Sequence, residues 1–282
     1  MVKIFITGAS GYIGSVVSEL ALQAGHSLRG LARSDAAAEK LRAQGVEPVR
    51  GDLYTLDVLA DEAKKADAVL HLAFIHDFTK YVESVETDRK VVETFIGALA
   101  GSNKTLVITS GTAVLWDTGD SPADETTPVP PGPGGARAAT EQLCVHWQAA
   151  SRGIRSAAMR LPLHVYGRSS PITFIPMQIA TAAKDGIARY IGDGAIFHLG
   201  DSNDRGVSAK KIAEAIARRV SLPPPVSVSV EEAAQAWGPL LATLLSISNQ
   251  YTSARAEKEL GWKVPEGRSV LRFTAEGGRE TS

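Results

Sequence analysis

Residues 3–14 read Lys-Ile-Phe-Ile-Thr-Gly-Ala-Ser-Gly-Tyr-Ile-Gly, a short apolar run that ends in three glycines at three-residue intervals. The apolar run is typical of a β-strand, and an apolar stripe with helical spacing follows directly, from Ile13 to Leu20. A glycine turn between a strand and a helix lets the backbone approach a pyrophosphate, which the N–H groups of the helix start then bind. The stretch therefore predicts dinucleotide binding rather than a turn without a ligand. The predicted cofactor-binding residues here are Gly8, Ser10, Gly11, Tyr12, Ile13 and Gly14.

The alternation of strand and helix continues to about residue 160. The predicted strands are 3–7, 27–32, 46–50, 67–73, 104–109 and 155–160, with helices near 12–24, 35–44, 55–65, 81–101 and 137–152. Alternating elements imply an α/β fold, a Rossmann-type doubly wound parallel sheet with helices on both faces. The prolines and glycines of residues 117–136 predict an exposed loop, either a surface connection or a flap over a site.

The pattern loosens after residue 160, where we predict mostly helices. They lie near 171–185, 208–220, 230–245 and 252–260, with a short strand near 195–199. We therefore expect a dinucleotide-binding Rossmann domain at residues 1–165. A small, mostly helical substrate-binding region, closely packed and partly completing the same unit, is expected at 166–282.

Composition excludes several classes of protein. The chain has 282 residues, and 44% of them are hydrophobic, which is ordinary for a globular protein. Its 30 basic and 31 acidic residues leave a net charge of -1, so we expect no nucleic-acid partner. Residues 1–8 lack the features of a signal peptide and no apolar run is long enough to span a bilayer, so we expect a cytoplasmic protein without membrane contact. Cys144 is the single cysteine, which excludes an intrachain disulfide. Because His71, His76 and His146 lack metal-ligand spacing, we predict no metal.

The end of the second predicted strand bears on the choice of cofactor. An acidic residue there would bind a ribose 2′-hydroxyl, whereas this chain has Arg33 and Ser34. A guanidinium matches a phosphate well, so we favour NADP(H) over NAD(H). In the alternative interpretation, Arg33 is solvated and Asp35 contacts the ribose; Asp35 could also simply cap the following helix.

Further motifs identify a family resemblance. In chain order they are TGASGYIG at 7–14, Gly51-Asp52-Leu53, His71-Leu72-Ala73, Thr109-Ser110, Arg160-Leu161-Pro162, Val165-Tyr166-Gly167 and Glu259-Leu260-Gly261-Trp262. The sequence resembles the extended short-chain dehydrogenase/reductases, in the branch of NAD-dependent epimerases and dehydratases. The resemblance implies that Asp52 and Leu53 contact the adenine, and that Thr109 lies at the cofactor. It also implies that Leu72, Ala73 and Phe74 line the ribose and pyrophosphate, and that Pro162, Leu163 and His164 lie near the nicotinamide.

The usual catalytic pair of that superfamily is missing. Its Tyr-x-x-x-Lys motif would begin the helix near 137–152, but Arg137 and Glu141 stand at the two positions, and none of the six tyrosines has a lysine four residues on. The pattern resembles an atypical subgroup without the usual active-site residues. A second departure is the direct passage from Asp193-Gly194 to Phe197-His198, where relatives have a further strand-helix unit. Either a true deletion or a gene-model artefact would explain it.

Five side chains are candidates for the chemistry. Ser110 and Thr112 follow the fifth strand, where they would meet a substrate oxygen or merely cap a loop. Arg137 would hold a carboxylate or polarise a carbonyl, unless it is a solvated arginine, and Glu141 is expected to pair with it along the helix. Two further candidates have structural alternatives: Tyr166 as a hydroxyl donor or a packed aromatic ring, and His164 as a proton donor or a structural hydrogen-bonding group.

We therefore expect an enzyme, an NADP(H)-dependent oxidoreductase that reduces a small aldehyde or ketone without the Tyr-x-x-x-Lys pair. One alternative is an NADP(H)-binding protein without redox turnover, such as a sensor. Another is a lyase, isomerase or cyclase on the same fold; a nucleotide-sugar epimerase is less expected because its chemistry uses the missing tyrosine. The expected partner is a small carbonyl compound. A homodimer is an option, because relatives dimerise through the helices predicted at 81–101 and 137–152.

Overall fold

The computed structural model describes residues 1–132, 134–145, 151–166, 174–193, 196–197, 206–262 and 269–276. The chain divides into two compact units that are each discontinuous in sequence. Unit one comprises Met1–Ser110 and Gly135–Arg160, and unit two comprises Gly111–Gly134 and Leu161–Ser282. Segment 111–134 thus groups with the C-terminal part of the chain, although the expected division at residue 165 places it in the first domain.

A six-stranded sheet forms the centre of unit one. Its strands are β1 (Lys3–Thr7), β2 (Ser27–Ala32), β3 (Glu47–Arg50), β4 (Ala68–His71), β5 (Thr105–Gly111) and β6 (Arg155–Leu161), in the order β3-β2-β1-β4-β5-β6. The pairs β1–β2, β1–β4, β2–β3 and β4–β5 are parallel. This confirms the predicted Rossmann-type fold, in which ligands bind beyond the carboxyl ends of the strands, where the order reverses beside β1.

Five helices connect these strands. They are α1 (Tyr12–Gln23), α2 (Asp35–Ala43), α3 (Leu56–Lys65), α4 (Tyr81–Leu99) and α5 (Gly135–Val145). All five were predicted to within a few residues at the described ends; the prediction for α5 extended over residues 146–150, which lie outside the described residues together with His146. Gly25 ends α1, because its φ of 79° allows the N–H of His26 to bond the carbonyl of Ala21 at 3.0 Å.

Two expectations about the helices were wrong. Leu20 was placed on the apolar stripe of α1, but it is 53% exposed, because the face against the sheet carries the small residues Gly14 and Ser18. Asp35 was considered as the cap of α2, but it is the first helical residue. The Ser34 side chain accepts the capping bond from the N–H of Ala37 at 3.2 Å.

The core of unit one lies between the sheet and α4. Phe5 of β1 meets Phe95 of α4 edge-on at 6.3 Å between ring centroids, and both side chains are fully buried. Val92 and Leu99 extend the same buried face one turn in each direction. Each such side chain contributes about 1.5–3 kcal/mol by leaving water, which fixes α4 against the strand ends that carry the candidate site.

Unit two is mostly helical, as predicted. Its helices are α6 (Phe174–Asp185), α7 (Ala209–Arg219), α8 (Val230–Trp237), α9 (Pro239–Ser246), α10 (Ala254–Leu260) and α11 (Val270–Glu276). The single helix predicted near 230–245 is interrupted, because Gly238 adopts a φ of 86° and Pro239 begins a new helix. Three short strands were missed: β7 (Arg189–Ile191) and β10 (Val226–Val228), which pair with each other, and β9 (Val207–Ser208). The partner of β9 is β8 (Ile196–Phe197), which lies within the strand predicted near 195–199. The strand predicted at 195–199 is therefore shorter within the described residues.

The proline-rich loop is held along one side by residues 248–252 of the same unit. The N–H of Thr118 donates to the Ser248 carbonyl at 2.8 Å, and the N–H of Ala123 donates to the Gln250 carbonyl at 2.9 Å. The buried Asn249 carboxamide donates to the carbonyl of Trp116 at 2.9 Å. These bonds explain why segment 111–134 groups with unit two.

Two kinds of feature are absent from the described parts of the chain. No helix there combines the length and the apolar character that crossing a bilayer requires. No group of three or more His, Cys, Asp or Glu side chains there is placed to hold a metal ion.

Candidate functional site

The glycines of the first turn allow a backbone approach that no side chain would permit. Gly8 has a φ of 76°, and a Cβ on it would lie 2.8 Å from the backbone nitrogen of Ala73. A Cβ on Gly14 would lie 2.1 Å from the carbonyl oxygen of Gly8. The turn is closed by the N–H of Gly11, which donates to the same carbonyl at 2.9 Å. These close contacts account for the glycine spacing read in the sequence.

The start of α1 is open to a ligand. Gly11 is the N-cap residue, with extended backbone angles and no side chain that could cap the helix. The first-turn N–H groups and the helix dipole therefore favour an anion. Lys40, which sequence analysis missed, donates from Nζ to the Ser10 carbonyl at 2.6 Å and brings a positive charge to the turn. The sequence gives no signal that separates Lys40 from the other lysines of the chain.

Cationic side chains also surround the end of β2. Arg33 is exposed, and Arg50 at the end of β3 lies 3.4 Å from the Asp35 carboxylate. Asp35 thus has a cationic partner of its own, and the Ser34 hydroxyl is engaged as the cap of α2. Sequence analysis missed Arg50, because only the pairing of β2 with β3 brings it beside Asp35.

Asp52 and Leu53 lie where β3 passes into α3. Asp52 Oδ1 accepts the N–H groups of Tyr54 and Thr55 at 2.9 and 3.1 Å, and Leu53 is buried in the core of unit one. These bonds fix the turn before α3. The predicted contact of both residues with adenine stays a prediction.

A buried chain of polar groups crosses the carboxyl ends of β1 and β4. Thr7 Oγ1 lies 2.7 Å from His71 Nδ1, and His71 Nε2 lies 3.1 Å from Asp88 Oδ1. Thr7, His71 and Asp88 are each at most 3% exposed. Because a carboxylate only accepts, His71 Nε2 donates to Asp88, while Nδ1 pairs with the Thr7 hydroxyl. Thr7 Oγ1 also accepts the N–H of Ala73 at 3.3 Å, which ties this chain of bonds to the glycine turn.

Arg137 ends this chain of groups. Its Nε lies 3.8 Å from Asp88 Oδ2, its Nη2 donates to the Thr109 carbonyl at 2.9 Å, and its guanidinium stacks 4.0 Å from the centre of the Phe74 ring. The side chain is 14% exposed, so it is not the solvated arginine of the alternative interpretation. Thr7, His71, Asp88 and Arg137 are called the polar relay below.

The expected helix pair between Arg137 and Glu141 was wrong. Glu141 instead accepts from Arg160 of β6, from Nε at 3.0 and 3.1 Å and from Nη2 at 2.6 Å. A carboxylate prefers this two-pronged guanidinium to a partner along its own helix. Both positions of the missing Tyr-x-x-x-Lys motif therefore belong to ion pairs with other elements, Arg137 with Asp88 and Glu141 with Arg160.

Two further titratable groups lie beside Arg137. Burial lowers the pKa of His76, and the nearby positive charge of Arg137 lowers it further, so the imidazole is neutral near pH 7. Burial raises the pKa of Tyr81, with Arg137 lowering it and Asp88 raising it. The Tyr81 and Phe74 ring centroids are 6.4 Å apart. Sequence analysis considered His76 only as a metal ligand and missed Tyr81.

Ser110 and Thr112 do not cap a loop. The Ser110 hydroxyl in unit one and the Thr112 hydroxyl in unit two are both buried, and neither has a hydrogen-bond partner among the described residues. A buried hydroxyl without a partner costs about 1–3 kcal/mol. Such hydroxyls are candidates for bonding a water or a ligand, and Ser110 of β5 directly follows Thr109, whose carbonyl accepts from Arg137.

The candidates of unit two are packed into its interior. Tyr166 packs against Phe273 at 5.5 Å between ring centroids, and Leu163 joins the apolar core of this unit, while Pro162 is half-buried. Burial lowers the pKa of His164 to about 4, so at neutral pH its imidazole holds no extra proton to donate. A cavity of about 10 Å³ beside His164 has room for one water molecule at most.

Comparisons with known proteins agree with this architecture. Residues 4–218 match the model of the NAD dependent epimerase/dehydratase family, and the chain therefore belongs to that family. An uncharacterized protein of Schizosaccharomyces pombe is 36% identical over 286 residues, 93% of this chain and 94% of the relative. A 4-hydroxy-2-methyl-3-oxo-4-farnesyl-3,4-dihydroquinoline-1-oxide ketoreductase of Stigmatella aurantiaca is 30% identical over 203 residues, 68% of this chain and 58% of the relative.

Solved structures share the fold at low sequence identity. A UDP-glucose 4-epimerase of Thermotoga maritima, solved with UDP-glucose, has a TM-score of 0.74 at 16% identity and covers 97% of this chain and 96% of its own. A dTDP-glucose 4,6-dehydratase of Bacillus anthracis, solved with NAD, has a TM-score of 0.72 at 15% identity, with coverage of 98% and 95%.

Proposed function

We propose that the chain is an oxidoreductase that uses NADP(H) in preference to NAD(H) to reduce a small aldehyde or ketone. The observation that carries this proposal is the polar relay, which links the glycine turn to a buried guanidinium at the carboxyl ends of the strands. The similarity to a ketoreductase and the family membership support it.

The first unit supplies the residues that would hold the cofactor. The glycine turn offers the space that a Cβ would fill, and the uncapped start of α1 offers N–H groups to a pyrophosphate. When bound, the nicotinamide would supply hydride. The other residues of unit one proposed for cofactor contact are Ser10, Tyr12, Ile13, Arg33, Ser34, Asp52, Leu53, Leu72, Ala73, Phe74 and Thr109. Pro162 and Leu163 of unit two are proposed for cofactor contact on the family resemblance alone. Unit two would bind the substrate, with Thr112, His164 and Tyr166 as its candidates.

Arg137 would stabilise the negative charge that develops on the substrate oxygen. A guanidinium is a strong hydrogen-bond donor but does not give up its proton near neutral pH, so Arg137 polarises and does not protonate. Because Asp88 balances its charge, the site favours an uncharged carbonyl over a carboxylate. The orphaned Ser110 hydroxyl would donate a hydrogen bond to the same oxygen.

The preference for NADP(H) rests on the cationic end of β2. Arg33 is exposed there, and Asp35 is paired with Arg50 rather than left to bind a ribose hydroxyl. Titration of the purified protein with NADPH and NADH, followed by nucleotide fluorescence, tests this. Arg33→Ala should weaken NADPH binding at least tenfold and change NADH binding little. The control is Arg42→Ala, which removes an exposed arginine of α2 that, within the described residues, forms an ion pair with Glu39 at the surface. Absence of binding for both nucleotides would refute the cofactor proposal.

Turnover requires a second measurement. Oxidation of NADPH is followed with a panel of aldehydes and ketones, including 4-nitrobenzaldehyde. Tight binding without oxidation by any carbonyl would favour a sensor, an alternative supported by the ion pairs at both positions of the missing catalytic motif. Conversion without net change in NADPH would favour a lyase, isomerase or cyclase. We also propose a cytoplasmic homodimer, to be tested by cell fractionation and analytical ultracentrifugation.

A further inference from the structure

A reduction of this kind needs a proton donor, and α5 lacks the tyrosine that usually supplies it. Arg137 stands at the tyrosine position of α5, and it keeps its proton. A phenol is nevertheless present on the neighbouring helix. Tyr81 is the first residue of α4, and its ring and the Arg137 guanidinium both pack against Phe74, at 6.4 and 4.0 Å.

The charges around Tyr81 suit a donor that stays protonated until it is used. Arg137 from α5 and Asp88 from α4 act on it with opposite signs, and burial keeps its pKa above the ordinary value. The phenol is therefore intact at neutral pH and is still a much stronger acid than an alcohol. His76, in the loop between β4 and α4, is the other titratable neighbour of Arg137, and it is neutral because its pKa is lowered.

We propose that Tyr81 is a catalytic residue that donates the proton to the substrate oxygen during carbonyl reduction. The inference rests on the proposed function. The carbonyl carbon accepts a hydride and the C=O π pair moves onto oxygen. The Tyr81 O–H bond breaks as the new O–H bond of the alcohol forms. The reductant is the dihydronicotinamide of the proposed function, the carbonyl is reduced to the alcohol, and the phenolate recovers a proton from water. Arg137 would stabilise both the developing alkoxide and the phenolate.

The test compares Tyr81→Phe with Tyr54→Phe, which removes the hydroxyl of a tyrosine that is 70% exposed in the same unit. With NADPH and 4-nitrobenzaldehyde, Tyr81→Phe should lower kcat at least 100-fold, because general acids contribute about that much or more. The Kd for NADPH should not change. The wild type should also lose kcat at high pH as its phenol ionises, and Tyr81→Phe should lack this alkaline limb.

Two further measurements test the role of Tyr81. Ultraviolet titration of tyrosinate should show that Tyr81→Phe loses one phenol of raised pKa, and that Arg137→Met moves that phenol to still higher pH. If Tyr81→Phe does not fold, global replacement of tyrosine by 3-fluorotyrosine should shift the alkaline limb of kcat to lower pH. Turnover by the wild type with an unchanged kcat in Tyr81→Phe, or no shift on fluorination, overturns the role of Tyr81 alone. A wild type that oxidises NADPH with no carbonyl overturns the proposed function and Tyr81 with it.

Discussion

Substitution of Asp88 is the most direct test of the polar relay. It lies on the buried face of α4 and accepts from His71 on one side, while Arg137 approaches its second oxygen. Asp88→Ala removes both interactions at once. The guanidinium and the Nε2–H of His71 would then remain in a buried site without their acceptor.

The cost of this substitution follows from the geometry. Two charges 3.8 Å apart attract by about 4 kcal/mol at an effective dielectric constant of about 20. Removing one partner of a buried pair typically costs about 3–5 kcal/mol. Arg137 keeps its bond to the Thr109 carbonyl and its stacking on Phe74, so we expect the lower end, about 3 kcal/mol. Asp88→Asn keeps the volume and an acceptor for His71, and should cost about half as much.

The assay is urea unfolding followed by far-ultraviolet circular dichroism, which gives the free energy of unfolding. Glu86→Ala is the matched control, because this exposed carboxylate of the same helix pairs, among the residues that the structure describes, with Arg89 and Lys90 at the surface. It should change stability far less. The double variant Asp88→Ala/Arg137→Met should be more stable than Asp88→Ala alone, because it leaves no buried charge unpaired. An Asp88→Ala variant as stable as Glu86→Ala would refute the reasoning.

Three further outcomes can be measured on single variants or on the unmodified chain. Gly14→Ala should abolish nucleotide binding in fluorescence titrations because its Cβ meets the Gly8 carbonyl, whereas Gly97→Ala, in open space on α4, should stabilise the fold by up to about 1 kcal/mol. The Cys144 thiol, with a pKa that burial raises to about 11, should resist a disulfide reagent at pH 8 until urea is added; rapid native labelling would contradict its burial. Burial holds the pKa of His164 at about 4 against an ordinary 6.5, so as the pH falls from 6.5 to 4 only the unfolded chain takes up this proton. Stability should drop by about 3 kcal/mol over that window, and His164→Gln should flatten the profile.

Local patterns in the sequence were sufficient to predict the framework of unit one. Strand β2 at 27–32 and the start of α1 at Tyr12 were predicted to the residue, because apolar runs and glycine turns act over a few positions. The same reasoning failed at Leu20, since an apolar stripe cannot show which of two adjacent faces meets the sheet. It also failed at residues 230–245, where the Gly238-Pro239 pair, a helix-breaking signal in the sequence, was overlooked.

The polar relay could not be read in the same way, because its members lie far apart in the chain. Thr7 and His71 meet only through the pairing of β1 with β4, and Arg137 meets Asp88 only through the packing of α5 on α4. One signal was present and was missed. Asp88 falls between Ser84 and Val92 on the apolar face of α4, where a carboxylate needs a partner. Tyr81 gave no such signal, because a tyrosine at a helix start is unremarkable.

The two substitutions at the usual catalytic positions are best understood together with their partners. A buried arginine at position 137 is tolerated because Asp88 faces it, and a glutamate at 141 is tolerated because Arg160 binds it from β6. Restoring tyrosine and lysine there would remove the cationic partner of the buried Asp88 and the carboxylate partner of the partly buried Arg160, at a cost of several kcal/mol. The usual tyrosine and lysine are therefore replaced by two residues of α5 that form ion pairs with α4 and β6, and the motif is not simply lost. Because these ion pairs occupy the positions of the usual tyrosine and lysine, the acid that we propose lies on another element: Tyr81 of α4, which packs with Arg137 around Phe74.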